Sequence, residues 1–285
     1  MAAKKAYDES AIQQLTSLEH IRKRVGMYIG RIGDGDSYDD GIYILLKEVF
    51  DNAVDEYISG YGKRVDVTIE DNIVTCRDYG RGIPLGKLRE CVADINTGGK
   101  FNDDVFQFSV GMNGVGAKAV NALSSRFKAR SVRDGTFAEV RFERGEIVDE
   151  TTGSTSERNG TLIAFEPDKE IFKNYKFLDE HIERRMRFYS YLNPGLSIVF
   201  NGATFRAENG LLDLLNDEVQ FDKIYQPFHY ADKTLEFTFT HTNRFTEEYF
   251  SFVNGQYTVD GGTHLSAFRE GVLKGVNEYS PKSKF

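Results

Sequence analysis

Residues 47–60, KEVFDNAVDEYISG, constrain this chain more tightly than any other stretch. Ile42, Leu46, Val49, Phe50, Ala53, Val54 and Tyr57 recur at helical spacing, so the segment reads as an amphipathic helix with one face on a core. Glu48, Asp51, Asn52, Asp55 and Glu56 fall within roughly 140° of the opposite side at about 100° per residue. An acidic helix face is ordinarily solvated surface. Two details resist that reading. Asp51 and Asp55 repel at i, i+4 and only Lys47 offsets them. Ile44 and Leu45 interrupt the polar side one turn earlier, as though part of it were covered. A divalent cation or a reacting water would account for such a face, and the helix alone leaves both readings open.

Around this helix the pattern predicts a mixed α/β chain. Residues 8–25 read as helix, and the Gly- and Asp-rich GMYIGRIGDGDSYDDG as loop. RVDVTIEDNIVTCRD alternates on both sides of Glu70-Asp71-Asn72 and reads as a β-hairpin. A short helix over 85–96, a glycine-punctuated loop over 98–116 and a helix AKAVNALSSRF follow. Strands are expected in FKARSVRDG, FAEVRFERGEIV and TLIAFEPD. Residues 177–192 read as a helix carrying Arg184, Arg185 and Arg187, which is either ordinary helix surface or a DNA-facing patch. LSIVFNG reads as a strand and ENGLLDLLNDEV as a helix after a joint near 205–210. LEFTFTHTN and EEYFSFVNGQYT are expected to pair as a second sheet, with a last helix from GGTH onward.

Composition narrows the function classes. The 285 residues suffice for one large domain plus part of another, and no run of about 18 apolar residues predicts a membrane span. The N-terminus lacks the apolar core of a secretory signal, and two cysteines, Cys76 and Cys91, make no disulfide framework, so a cytoplasmic location is expected. A net charge of −8 argues against a broad nucleic-acid surface but leaves room for a local basic groove.

Three glycine patches carry candidate chemistry. In DYGRGIP, Gly80 and Gly82 permit a sharp turn or close approach to a ligand, with Asp78 at a strand end able to accept from a base amine. In SVGMNGVGAKAV, Gly111, Gly114 and Gly116 lead into a helix, where backbone N–H groups can face an anion. The phosphate-loop pattern G-x-x-x-x-G-K-[ST] is absent, and no strand precedes this patch as in a dinucleotide fingerprint. In NTGGKF, Lys100 beside two glycines can reach a phosphate. Taken singly, each patch reads first as a turn or surface loop.

Their order is more specific. An acidic helix with an Asn, then Asp-x-Gly-x-Gly, then a glycine-rich loop entering a helix resembles the Bergerat (GHKL) ATP-binding fold of gyrase B subunits, MutL and sensor histidine kinases. RKRVGMYIG, EVFDNAVDE, DYGRGIP, GGKF, GVGAKAVNALS and FVNGQYTVDGGTH together resemble the B subunits of bacterial type IIA topoisomerases, gyrase or topoisomerase IV, from about Tyr7 to the last helix.

The resemblance implies an α+β fold: a two-layer α/β sandwich with a mixed sheet, followed by part of a ribosomal-S5-like transducer. The expected division is 1–208 for the ATPase domain with its N-terminal arm and 209–285 for the first part of the transducer. It implies ATP and Mg²⁺ as cofactors, with ATP hydrolysis coupled to strand passage. By the same resemblance Glu48 is the general base, Asn52 the Mg²⁺ ligand and Asp78 the adenine-reading acid. Arg81, Gly82, Ile83 and Pro84 form the lip of the adenine pocket, and Thr161 backs Asp78 through a water. Lys100, Gly114, Val115 and Gly116 meet the triphosphate, Tyr28 lines the pocket, and Tyr7 reaches the nucleotide of a partner protomer. Asp55 and Glu56 are assigned support and solvation. Implied partners are a second copy through the ATPase domains, the topoisomerase A subunit and double-stranded DNA, without a membrane.

Three positions depart from the family pattern: Val25 for a proline, Ile44 for the His that orients the base, and Asn113 for a lid His. The family continues past GGTH to a lysine on the γ-phosphate and a TOPRIM domain, so the chain reads as an N-terminal portion. A histidine kinase would need a phospho-acceptor helix ahead of the core, where His20 reads instead as an isolated surface residue. A nucleotide-gated clamp with little turnover is the other alternative.

Overall fold

The computed structural model describes residues 12, 14–98, 110–111, 114–220 and 223–280. The first helix, α1 (Ser17–Lys23), starts later than its periodicity predicts. Thr16 and Glu19 close a reciprocal capping box, with Glu19 N donating to Thr16 Oγ1 at 3.3 Å and Thr16 N to Glu19 Oε2 at 2.8 Å. Residues 14–16 are not helical, whereas α2 (Val25–Ile29) takes in part of the glycine-rich stretch expected as loop. The acidic helix is α3 (Gly41–Ile58).

The expected hairpin forms as β1 (Arg64–Glu70) and β2 (Ile73–Asp78). Asp71 and Asn72 turn it with φ of 50° and 67°, values that Asp and Asn tolerate better than most side chains. Then come α4 (Leu88–Ala93) and α5 (Gly116–Ala122). The strands β3 (Ser124–Arg133), β4 (Thr136–Glu143), β5 (Glu146–Ser154) and β6 (Gly160–Pro167) follow. The helix expected through Phe127 therefore stops early. Ser124 Oγ donates to Val120 O at 2.6 Å, and the chain from Ser124 joins β6 instead. After α6 (Asp179–Leu192), β7 (Ser197–Phe200) and β8 (Ala203–Phe205) complete the sheet.

The sheet has eight strands in the order β5-β4-β3-β6-β2-β1-β7-β8. It is mixed, because β7 pairs parallel to β1 while the other neighbours are antiparallel. Registers align its buried side chains in cross-strand rows. Val140, Ala129, Ile163, Cys76, Val67 and Phe200 form one row, all buried. The neighbouring row runs through Ala138, Ser131, Thr161, Asp78, Val65 and Ile198. Asp78 is the acid in that row, and it is 6% exposed. Helix α3 packs on β2 and β6, α5 on β3 and β6, and α4 on β3 and β4.

The chain divides into two compact units. One spans residues up to 187 together with 195–206, and the other comprises 188–194 and residues from 207 onward. In the second unit Phe188, Tyr191, Ala207 and Leu214 form a small core, to which Leu211, Phe250, Phe252 and Tyr257 add. It holds α7 (Leu211–Val219), β9 (Phe228–Ala231), β10 (Glu236–Phe239), β11 (Phe252–Val253), β12 (Gln256–Tyr257) and α8 (Thr263–Tyr279). The expected pairing of LEFTFTHTN with EEYFSFVNGQYT does not occur. β10 pairs with β9, aligning Phe237 with Tyr230, and β11 turns back on β12 through Asn254 and Gly255.

Candidate functional site

The polar side of α3 is only partly solvated. Asp51 and Asp55 are each 1% exposed. A buried carboxylate needs compensation, and each receives it differently. Lys47 Nζ donates to Asp51 Oδ2 at 2.7 Å. Asp55 accepts from Val110 N at 2.6 Å and from Gly111 N at 3.4 Å, so it pins the backbone leading to the glycine turn. Glu56 accepts from Arg81 N and Nη2 at 2.8 and 2.9 Å, and the Arg81 guanidinium lies 4.2 Å from the Tyr61 ring centre.

Glu48 and Asn52 are the more accessible members of the set. The Asn52 amide donates to Glu48 O at 2.8 Å, which holds the two side by side on one turn. A Cβ at Gly116 would fall 1.9 Å from Glu48 Oε2, so the start of α5 lies directly against this carboxylate and a side chain there would displace it. Lys47 Nζ lies 3.9 Å from Glu48 Oε1. Ile44, one turn earlier, is half-buried and contributes hydrocarbon.

At the end of β2, Asp78 Oδ1 accepts from Gly80 N at 2.8 Å and Thr161 N at 3.2 Å. Thr161 thus supports Asp78 directly through its main chain. Burial pushes the Asp78 carboxyl up to about 6, against the lowering effect of these two N–H groups. Gly160, at φ 136°, lets the strands close here, because a Cβ would sit 2.2 Å from Asp78 O.

The lip that follows is fixed by its main chain. Gly82, at φ 77°, has Val132 O and Ser131 Oγ within 2.8 Å of where a Cβ would be. Ser131 Oγ donates to Ile83 O at 2.7 Å and Arg133 Nη1 to Gly82 O at 3.2 Å. Pro84 O accepts from Lys87 N, starting the short turn before α4.

Gly114, at φ 61°, enters the turn that leads through Val115 to Gly116. The Lys118 ammonium, 3% exposed, donates to Gly114 O and to Thr97 O at 2.6 Å each, tying together two points that are distant in sequence. Tyr7, Lys100 and Asn113 lie outside the described residues. Tyr28 is half-buried, and its hydroxyl is 2.8 Å from His20 Nδ1, so His20 is not the isolated residue expected. Arg185 is not surface either: it is 7% exposed, lies over Tyr38 and donates to Tyr38 O at 3.3 Å, whereas Arg184 and Arg187 are exposed.

Sequence reasoning missed Lys118, Ser131 and Arg133. Lys118 follows the glycine turn by two residues and could have been weighed with it. Ser131 and Arg133 carry no local signal, because their partners lie across the sheet. Among the described residues no group of three or more His, Cys, Asp and Glu could hold a metal. A Mg²⁺ ion retaining several waters needs fewer protein ligands, and the Asn52 amide oxygen beside Glu48 offers the hard oxygen chemistry it prefers. No helix among the described residues is long and apolar enough to cross a membrane.

Residues 38–171 match the family described as "Histidine kinase-, DNA gyrase B-, and HSP90-like ATPase", and residues 207–285 match "DNA gyrase B". The chain is 54% identical over 278 residues to the B subunit of DNA topoisomerase 4 from Borreliella burgdorferi, covering 97% of this chain and 46% of that protein. It is 35% identical to the B subunit of DNA gyrase from Thermotoga maritima, covering 98% and 48%. The chain thus spans about half the length of the curated relatives it matches. Its fold is similar to the crystal structure of the 43K ATPase domain of Thermus thermophilus gyrase B in complex with an aminocoumarin. The TM-score is 0.77 at 31% identity, over 94% of this chain and 74% of that one.

Proposed function

Because the chain belongs to the B-subunit family of bacterial type IIA DNA topoisomerases, we propose that it binds ATP between α3, the end of β2 and the glycine turn before α5, and hydrolyses it. The observation that carries this reading is the fit of Gly116 against the Glu48 carboxylate. It brings the glycine turn directly onto an acid of α3 that solvent still reaches, whereas Asp51 and Asp55 are buried. Asp78 supports the other end of the reading. Both backbone donors go to Oδ1, leaving Oδ2 to accept from an adenine amine.

Ionised Glu48 takes the proton from the attacking water and so raises its nucleophilicity. Asp78 and the lip Arg81–Gly82–Ile83–Pro84 hold the adenosine end. The turn Gly114–Val115–Gly116 faces the phosphates, and Lys100, assigned by the family resemblance alone, would add positive charge to them; positioning and charge neutralisation are most of the catalysis. Asn52 would hold Mg²⁺, which supplies charge neutralisation to the phosphates when bound. Tyr28 lines the pocket, and Thr161 holds Asp78.

In the whole protein, hydrolysis would drive dimer closure through Tyr7 and the passage of double-stranded DNA, together with the A subunit in the cytoplasm. Residues 1–208 would act as the ATPase domain and 209–285 as the start of the transducer. The test is Glu48→Gln. Calorimetry should show unchanged ADP binding while turnover falls about 10²–10⁴-fold; unchanged turnover removes Glu48 from the role of base.

A further inference from the structure

An open cleft of about 620 Å³ lies at the end of the sheet where β1 starts and β2 finishes, lined by Gly62, Lys63, Arg64, Tyr79, Arg158 and Asn159. Gly62, at φ 73°, helps keep it open, because a Cβ there would meet the Tyr79 backbone at 2.9 Å. Three of the six lining residues are cations and none is an acid, in a chain whose net charge is −8.

The polar groups nearby divide sharply into spent and unspent. Asp66 is spent: Arg64 Nε and Tyr79 OH reach its two oxygens at 2.7 Å each. The Asn159 amide is also spent, donating to Asp134 Oδ1 at 3.1 Å and accepting from Asp134 N at 2.8 Å. Asp78 Oδ1 is taken by its backbone donors, and its Oδ2 belongs to the proposed nucleotide site. By contrast, the side chains of Lys63 and Arg158 have no hydrogen bond or ion pair among the described residues. Arg77 lies 5.3 Å from the Tyr79 ring centre and donates through Nη2 to Arg158 O, while its buried Nη1 has no hydrogen-bond partner among the described residues. Cations converging on a concavity repel one another unless an anion joins them.

We propose that this cleft binds phosphate oxyanions, with Lys63 and Arg158 closing on the charged oxygens and Tyr79 forming the wall. Its volume exceeds that of one phosphate and falls in the range of small-ligand sites, so it suits several linked phosphate groups. Free polyphosphate and the phosphodiester backbone of DNA share that chemistry. Neither Lys63 nor Arg158 belongs to the proposed nucleotide site.

The experiment is an amide-shift titration of the full chain at low salt, with ADP present in excess to occupy the proposed nucleotide site. Tripolyphosphate is added in one arm and a short DNA duplex in the other. Saturable shifts are expected at the amides of Lys63, Tyr79 and Asn159 and should weaken as salt is raised. Lys63→Glu combined with Arg158→Glu should weaken binding by about tenfold or more, with the thermal midpoint unchanged as the control for folding. Shifts with tripolyphosphate alone identify free polyphosphate as the ligand, and shifts with the duplex identify the phosphodiester backbone. ADP occupancy is read separately at Gly80 and Thr161, so a failure there bears on the nucleotide reading only. No shift at the cleft in either arm, or equal affinity in the double variant, overturns the proposal.

Discussion

Helices α3 and α8 are almost the same length, 18 and 17 residues, and both are amphipathic, yet they end in opposite states. On α3, Ile42, Leu45, Leu46, Phe50 and Val54 are fully buried. On α8 no residue is buried. Phe268 packs on Phe237 of β10 at 5.0 Å between ring centres, but Leu273, Val276 and Tyr279 are 60–69% exposed. An apolar stripe therefore records a demand for cover, not its satisfaction. The polar sides teach the converse. The acids of α3 look like a solvated face, yet two of them are as buried as the leucines behind them.

The contrast can be broken by mutation. Leu46→Ala should cost about 2–5 kcal/mol in urea unfolding of the sheet-bearing unit, because it opens a cavity in a filled core. A loss below about 1 kcal/mol would mean that α3 is no better packed than α8. Asp55→Ala should cost about 1–3 kcal/mol by leaving the Val110 and Gly111 amides without their acceptor, with faster hydrogen exchange at both. Unchanged exchange would return Asp55 to the solvated face.

Asp78 sharpens the comparison through pH. Its value of about 6 in the folded chain lies above the ordinary 3.8, so between these values the native state holds the proton more firmly than the unfolded chain. Its stabilising contribution is therefore complete below 3.8 and is lost as pH rises through about 6. Adenine binding should run the other way, because the amine needs the ionised acceptor. ADP affinity should fall by up to about tenfold per pH unit below 6 and level off above it, and Asp78→Asn should remove the slope. At the small end, Val276→Ser should change stability by no more than about 0.5 kcal/mol, since no buried contact is lost. A larger loss would show that α8 is covered after all.

Much of the fold was legible where the signal is local. Alternation around Asp71 and Asn72 predicts the β1–β2 hairpin, and that hairpin places Asp78 at a strand end. Two of the three glycine patches predict the turns at Gly82 and Gly114, where a positive φ is needed. Long-range choices were not legible. Ser125 and Arg126 suit a helix end as well as a strand, and it is the β6 ladder that decides. Phe237 could pair with any nearby strand, and β9 is the partner it finds. The burial of Asp51 and Asp55 depends on Lys47 and on the chain at Val110, and only the former is near enough in sequence to be noticed. Lys118 draws together Thr97 and Gly114, a closure that no periodicity encodes.

The parallel pairing of β1 with β7 also governs the order of events during synthesis. A ribosome delivers β1 more than a hundred residues before β7, and β7 and β8 supply the far edge of the sheet. Until then one side of the nascent β1 offers its unpaired amides and carbonyls to any passing strand. The slow, long-range step comes last, after α3 and the hairpin are already available to collapse. The nascent chain therefore carries an unpaired β1 edge, open to mispairing, in the interval between the translation of Glu70 and that of Phe200.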